Sequence, residues 1–548
     1  MTNLMAGIHT TAHTPRLVGA MRASSCRQAA GLAALGTCAL LIAACGSGGH
    51  RTVAAGDGCH TQTLRAAASP APGSGSWPDP NANLANTRNA PDAAISVANV
   101  SRLKPAWMFK LTGKGAVGIT GLGSLVAGPI VQDGVVYLQD LDSNVYALAL
   151  GSGKLEWEYV CNEIERSGPG PNGVAVADGR VYGETPTSVF AVSAASGKQV
   201  WVNTHVLTSG EGTFGIQPEV ANDRVYLASQ YGNAPGGGVL IALNASTGAV
   251  LWKFNTLVGS APGVKALGLG AGGAWETPLV SGDGSVTYGT GNPYQTPAYA
   301  ISHPAAMPYT NSDVNLDAAT GKLRWYYQGV PNDFKDYDMQ TSPISARAGS
   351  VPVVIGSGKM GYVYEMNADT GRLKWKTPVG QHNGHDDDSL KALEHKLTLT
   401  VPFTIAPGSI GGVLTDLALA GNSVYVATLD LPLTYTTLTL PVATSSNGRL
   451  AGEVEALNLT TGKLKWDVKV SSLPVGAATV SNDLLFTTLF DGTVLAIDRD
   501  TGKIVYRRRL PTTTNAPIAI AGRTVIIPAG DAGKRRRVDP QVVAYSLR

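Results

Sequence analysis

The apolar positions of this chain come in short period-two runs, each closed by Gly, Asn, Asp or Ser, a pattern of strands and tight turns and not of helices. One unit recurs along most of the sequence: an apolar strand ending in Ala-x-Asp or a variant, then Thr-Gly-Lys or a variant, then an alternating strand closed by an aromatic residue. It runs from Ala147 to Trp157, Ala191 to Trp201, Ala242 to Trp252, Val314 to Trp325, Met366 to Trp375, Ala456 to Trp466 and Ala496 to Tyr506. Each copy predicts a hairpin, because a Gly between two such runs supplies the positive φ of a tight turn. Upstream of each lies a further strand pair with its own turn signal, as in Pro129 to Tyr137 and Val220 to Tyr226.

Four short strands per unit of about 40 to 50 residues predict the blades of a β-propeller. Seven copies and a last unit, Ala516 to Leu547, which stops after its third strand, make an all-β, eight-bladed ring over residues 77–548. The missing strand is expected from Leu103 to Phe109, which carries a Trp but has no blade before it; this exchange would close the ring and remove an exposed edge. One miscounted unit would leave seven blades. Two units carry insertions, near residues 294–312 and 376–410. The recurrent Trp is expected to pack against the neighbouring blade as core.

Composition fits this picture: 66 Gly and 32 Pro in 548 residues, with 15% charged residues, describe a turn-rich globular chain. A net charge of +3 gives no long-range field for a nucleic acid or a membrane surface, and the basic run Lys534 to Arg537 reads as a solvated hairpin loop. The N-terminus reads as a processing signal. Arg22 and Arg27 precede the apolar stretch Ala29 to Ala44, which ends in Ile42-Ala43-Ala44-Cys45, the small-residue run before Cys of a bacterial lipobox. Residues 1–44 are therefore expected to be a lipoprotein signal, with Met21 an alternative start, and Cys45 the acylated first residue of a mature chain held outside the cytoplasm by its lipid alone. Residues 45–76 read as a flexible tether. Cys59 and Cys161 can pair in an oxidising compartment or remain two free thiols.

Chemistry is expected where the repeat is broken, since loops on one face of a repeat scaffold vary without disturbing the core. Three stretches qualify: Gly273-Ala-Trp275 with Gly289-Thr-Gly-Asn292-Pro293; Pro331-Asn-Asp-Phe-Lys-Asp336-Tyr-Asp338; and Gly356-Ser-Gly-Lys359. Asp336 and Asp338, two apart on an extended segment, are expected to point the same way. Such carboxylates repel unless a cation or a shared proton intervenes, and their oxygens suit a hard cation, with Asn292 as a third ligand; a solvated acidic loop is the alternative. The loop from Gly380 to Asp388 gathers two His and three Asp and is expected to be flexible, hydrated and outside the site.

The repeat, together with Trp77-Pro, Asn86-Thr-Arg and Val100 to Trp107, resembles the pyrroloquinoline quinone (PQQ) dependent alcohol dehydrogenases. Similar blades also build scaffold lipoproteins of outer-membrane assembly. The resemblance implies PQQ with Ca2+ or a lanthanide as cofactors. It implies Asn292 as a metal ligand, Asp336 as catalytic base and metal neighbour, Asp338 as the additional carboxylate of lanthanide-using members, Lys359 at the quinone oxygens and Trp275 beneath the quinone ring. It implies a small alcohol, sugar or polyol as substrate and a separate electron acceptor, and no Cys-x-x-Cys-His is present to bind a haem. The family's metal-binding Glu aligns with Asn233, its quinone-contacting Arg with Asn172, a Thr with Gly215, and its adjacent Cys pair with the single Cys161. Two functions follow as expectations: a quinoprotein dehydrogenase, and a propeller scaffold that has lost catalysis.

Overall fold

The computed structural model describes residues 58–63, 75–111, 123–164, 170–230, 237–260, 272–440, 450–530 and 539–547. Cys45, the signal segment, Asn233 and the basic run Lys534 to Arg537 lie outside them.

The innermost strands of eight antiparallel sheets surround a central channel. Blades 1 to 7 occupy residues 130–160, 175–203, 219–255, 279–328, 344–378, 418–470 and 479–509. Blade 8 combines residues 519–547 with strand Leu103–Lys110, which pairs antiparallel with Gln541–Leu547 and closes the ring as expected. The insertions in the repeat carry two short helices, α1 (Pro297–Ser302) and α2 (Asp388–Leu393), and a strand pair, Phe403–Ile405 with Leu433–Tyr435.

The repeated motif is explained by how each blade grips the next. The Trp of an outer strand sends its indole N–H to a carbonyl of the following blade: Trp157 to Ala194 at 2.9 Å, Trp252 to Ala318 at 3.1 Å, Trp466 to Arg499 at 2.9 Å. The ring lies flat over the Gly of that blade's Thr-Gly turn. A Cβ on Gly371 would come within 2.5 Å of the Trp325 ring, and one on Gly197 within 2.6 Å of Trp157. The Gly therefore serves twice, since it also holds φ at +66° in Gly371 and +68° in Gly197. The small Ala of Ala-x-Asp faces the Trp across the strand pair in blades 1, 2, 3 and 6, and a bulge directly follows it. That bulge turns the outer strand as it leads into the turn the Trp of the previous blade covers.

The segment before the ring runs along the inner strands and ties them together. Trp77 exchanges hydrogen bonds with Val131 of blade 1, Ala85 O accepts from Ser345 of blade 5, Thr87 O from Leu419 of blade 6, and Arg88 O from Val480 of blade 7. The buried Arg88 guanidinium donates to Asn81 Oδ1 (2.7 Å), Ala478 O (2.8 Å), Thr479 Oγ1 (2.8 Å) and Ile518 O (2.9 Å), and lies 5.5 Å from the centre of the Trp77 ring.

Part of the tether is not free chain. His60–Thr63 adds a fifth strand to the outer edge of blade 1, and Cys59 is disulfide-bonded to Cys161 at the end of that blade's outer strand. Of the two alternatives for these cysteines, pairing is the one observed. The expected flexibility of residues 45–76 fails at this point because an outer edge offers unpaired N–H and C=O groups to any segment held beside it.

Candidate functional site

The three irregular stretches meet on one face of the ring. Asn292 follows strand Ser285–Gly289 of blade 4, Asp336 and Asp338 lie between Leu323–Gln328 of blade 4 and Ile344–Ala348 of blade 5, and Lys359 follows Val351–Ser357. In a blade, the connection between its second and third strands and the connection to the next blade emerge on the same side, which is why segments so far apart in sequence converge.

Lys359 Nζ sits 3.0 Å from Asp336 Oδ2 and 2.5 Å from Asp338 Oδ2. Asn292 bridges the same two carboxylates: its side-chain amide donates to Asp336 Oδ1 and, at 2.8 Å, to Asp338 Oδ1, while its backbone N–H donates to Asp338 Oδ1 at 2.7 Å. The carboxylates do point together, but not because the segment is extended. Asp336 holds a φ of +62°, a left-handed turn that swings its side chain back beside Asp338. Burial raises the Asp336 carboxyl above its ordinary range, and the Lys359 ammonium opposes that shift. Burial disfavours charge on Lys359, yet the two carboxylates outweigh it and hold the ammonium above its ordinary value. With both carboxyls ionised, two negative charges against one ammonium leave the cluster one negative charge in excess.

Trp275 adjoins the cluster. A Cβ on Gly291 would fall 2.8 Å from the Trp275 ring and 3.1 Å from Asp338 Oδ1, so the missing side chain is what lets indole and carboxylate approach each other. Trp275 also lines a cavity of about 180 Å³ in the channel, together with Asn81, Gln217, Gln230, Gln340 and Asp416.

Sequence reasoning missed the residues that brace this loop. Asp333 accepts backbone N–H bonds from Lys335 (2.9 Å) and Tyr337 (2.8 Å), which folds the loop back on itself; it is a structural carboxylate, raised by burial, and not part of the cluster. The Lys335 ammonium is fully buried and donates to His385 O and, at 3.2 Å, Asp386 O. Loop 380–388 exposes Gln381, Asn383, Gly384 and Asp387 as a hydrated loop would, but its His385 and Asp386 carbonyls are held by Lys335 of the site loop. His382 pairs with Asp386 and His385 with Asp388, both at 2.6 Å, and α2 begins where the loop ends. The Asn-Asp pair at 332–333, an Asx-turn signal, was the one available clue.

A second buried acid flanks the site. Asp313, in blade 4, faces Gly356 and has a carboxyl pushed up to about 8 by burial. Between pH 4 and 8 the folded protein then holds a proton that the unfolded chain has released, so stability should fall as pH rises through that window, by up to about 1.4 kcal/mol per pH unit. Asp313→Asn should flatten this slope in denaturant titrations run across the window.

The sequence matches a family model described as glucose/ethanol/alcohol dehydrogenase, beta-propeller domain, over residues 77–175 and 216–383. A lupanine 17-hydroxylase (cytochrome c) of Pseudomonas sp is 27% identical over 472 residues, 75% of this chain and 66% of that one. A quinohemoprotein alcohol dehydrogenase of Comamonas testosteroni is 27% identical over 356 residues, 57% of this chain and 48% of that one. The crystal structure of the latter superposes with a TM-score of 0.72 at 20% identity, covering 86% of this chain and 80% of that one. These matches support the PQQ-dependent alcohol dehydrogenase-like β-propeller family for this chain. This quinoprotein-like propeller spans about half to two thirds of the length of these two curated relatives. A europium-containing methanol dehydrogenase shares the fold with a TM-score of 0.71 at 20% identity, over 86% of this chain and 98% of that one. A second family model, outer membrane protein assembly factor BamB, matches residues 162–269 and 450–546.

The quinoprotein-like site fits a hard cation: it offers the oxygens of Asp336 and Asp338, an excess negative charge, and an adjoining amide at Asn292. Beside it, Trp275 offers an aromatic face to a planar group. The remaining positions depart from the family pattern. Asn172 is buried, the Gln230 amide fills the space a side chain on Gly215 would need, and Cys161 is joined to Cys59 and not to a neighbour.

Proposed function

We propose that this chain is an extracytoplasmic oxidoreductase, anchored through a lipidated Cys45, that oxidises a small alcohol, sugar or polyol with PQQ and Ca2+ or a lanthanide and passes the electrons to a separate acceptor. The observation that carries this reading is the convergence of Asn292, Asp336, Asp338 and Lys359 beside Trp275. A scaffold has no physical need to bury two carboxylates and an ammonium on the loop face, since such a cluster costs desolvation that apolar packing avoids. The Cys59–Cys161 disulfide supports an oxidising compartment.

When bound, PQQ supplies the hydride acceptor and the cation polarises it. The rest falls to the protein. Asp336 takes the substrate hydroxyl proton as general base. Lys359 offsets the charge of both carboxylates and presents N–H donors to an electron-rich oxygen. Asn292 fixes the spacing of Asp336 and Asp338 by donating to both. Asp338 is fully buried and stays on the side of the cluster away from water. Trp275 would offer a flat wall to the cofactor ring.

Chain preincubated with PQQ and Ca2+, or with a lanthanide, should reduce an artificial electron acceptor when given primary alcohols, sugars or polyols, and should not do so without PQQ. The match to the assembly-factor model over residues 162–269 and 450–546, with the departures at Asn172 and Gly215, favours a scaffold as the second reading. No turnover with any of these substrates would make that the better account.

A further inference from the structure

A separate group of acids lies in blade 6, and the proposed oxidation makes no use of it. Glu453 and Glu455 stand on strand Gly452–Asn458, opposite Lys469 and Asp467 of the outer strand. Carboxylate oxygens of Glu453, Glu455 and Asp467 all lie within 4.8 Å of one another. By strand alternation they share a face with Leu457, which packs with Val426 and Trp375 in the apolar contact between blades 5 and 6. The acids therefore continue that interface toward the loop end.

A fourth carboxylate, from outside these two strands, gives the independent sign of a ligand. Asp430 is only 6% exposed, and its Oδ1 is buried with no hydrogen-bond partner. The Asp430 carboxyl hydrogen-bonds that of Glu453 and so adjoins the three acids. A Cβ built on Gly380 would lie 3.3 Å from both Asp430 Oδ1 and Thr428 Oγ1, and Thr428 Oγ1 is 3.4 Å from Glu455 Oε2. Lys469 supplies the positive charge near these four acids, bonded to Glu453 and 3.1 Å from Asp467, and its side chain is 68% exposed, free to swing into water.

We propose that Asp430, Glu453, Glu455 and Asp467, with the Thr428 hydroxyl, form a second cation site on blade 6, beside its contact with blade 5, that takes a hard divalent ion of the Ca2+ type. Four carboxylates from two strands and the loop residue Asp430 offer the six to eight oxygens Ca2+ takes once waters complete the shell, whereas Mg2+ demands a stricter octahedron. The ion displaces the Lys469 ammonium and neutralises the clustered acids. The site is independent of Asp336 and of PQQ.

The test is calorimetric titration of the full chain with Ca2+ alone, in the absence of PQQ, on the wild type and on Glu455→Gln, Lys469→Met and Asp336→Asn. Glu455→Gln should weaken one binding event by at least about tenfold. Asp336→Asn should leave that event in place, so loss of the oxidoreductase reading would not remove it. Lys469→Met should tighten it several-fold, a gain that a misfolded variant cannot produce. The proposal is overturned if Glu455→Gln binds Ca2+ as the wild type does, if Lys469→Met gives no gain, or if all Ca2+ binding disappears with Asp336→Asn.

Discussion

Asp336→Asn should reduce turnover by on the order of 10²- to 10⁴-fold while leaving the thermal midpoint near that of the wild type. The amide keeps the shape of the side chain but cannot take a proton from a hydroxyl group. Lys359 retains Asp338 as its 2.5 Å partner, so no buried charge is orphaned. A general base must be ionised, so wild-type kcat/KM should climb as pH is raised through the titration of the Asp336 carboxyl in the loaded enzyme, and the variant should lose that limb. Steady-state assays over a pH series, with the midpoint measured on the same samples, separate this outcome from unfolding. Unchanged turnover would remove Asp336 from the mechanism.

Arg88→Met should cost about 3–5 kcal/mol of stability, the range for breaking a buried charged network by removing one partner. The methionine fills much of the volume, but the hydrogen bonds to Asn81, Ala478, Thr479 and Ile518 are lost, along with the positive charge that offsets Asp416 and Glu276. These partners belong to the N-terminal segment, blade 7 and the approach to blade 8, so the ring should loosen where the segment ties it. Denaturant unfolding monitored by Trp fluorescence measures the loss. A shift under 1 kcal/mol would show that the segment merely lies along the channel.

The blade count was legible because one short motif encodes two contacts at once. The Gly of the turn sets its geometry and also leaves room for the Trp of the previous blade, so the Gly recurs in all seven copies and the Trp in six. The site was legible in outline for the opposite reason: Asn292, Asp336, Asp338 and Lys359 fall where the motif lapses. The two aspartates come together by a route other than strand alternation. A period-two strand was expected, and a left-handed Asp336 does the work, which the Lys-Asp-Tyr-Asp sequence does not reveal. Three features could not be read because their partners are remote. The strand His60–Thr63 is defined by the edge at Trp157–Val160, the order of loop 380–388 depends on the buried Lys335, and Asp430 meets Glu453 only after an excursion whose length varies freely in such loops.

The central claim is that the Asn292, Asp336, Asp338 and Lys359 cluster beside Trp275 is a working cofactor site. It is tested most directly by adding PQQ to the purified chain with Ca2+ or a lanthanide and following absorbance and thermal midpoint, with Asp336→Asn alongside. A ligand that binds only the folded state must raise the midpoint, by about 2.7 kcal/mol of stability at a hundredfold excess over Kd. The account predicts a rise that needs PQQ and metal together and shrinks in Asp336→Asn. No rise at saturating PQQ with either metal would contradict it and return the chain to the scaffold reading.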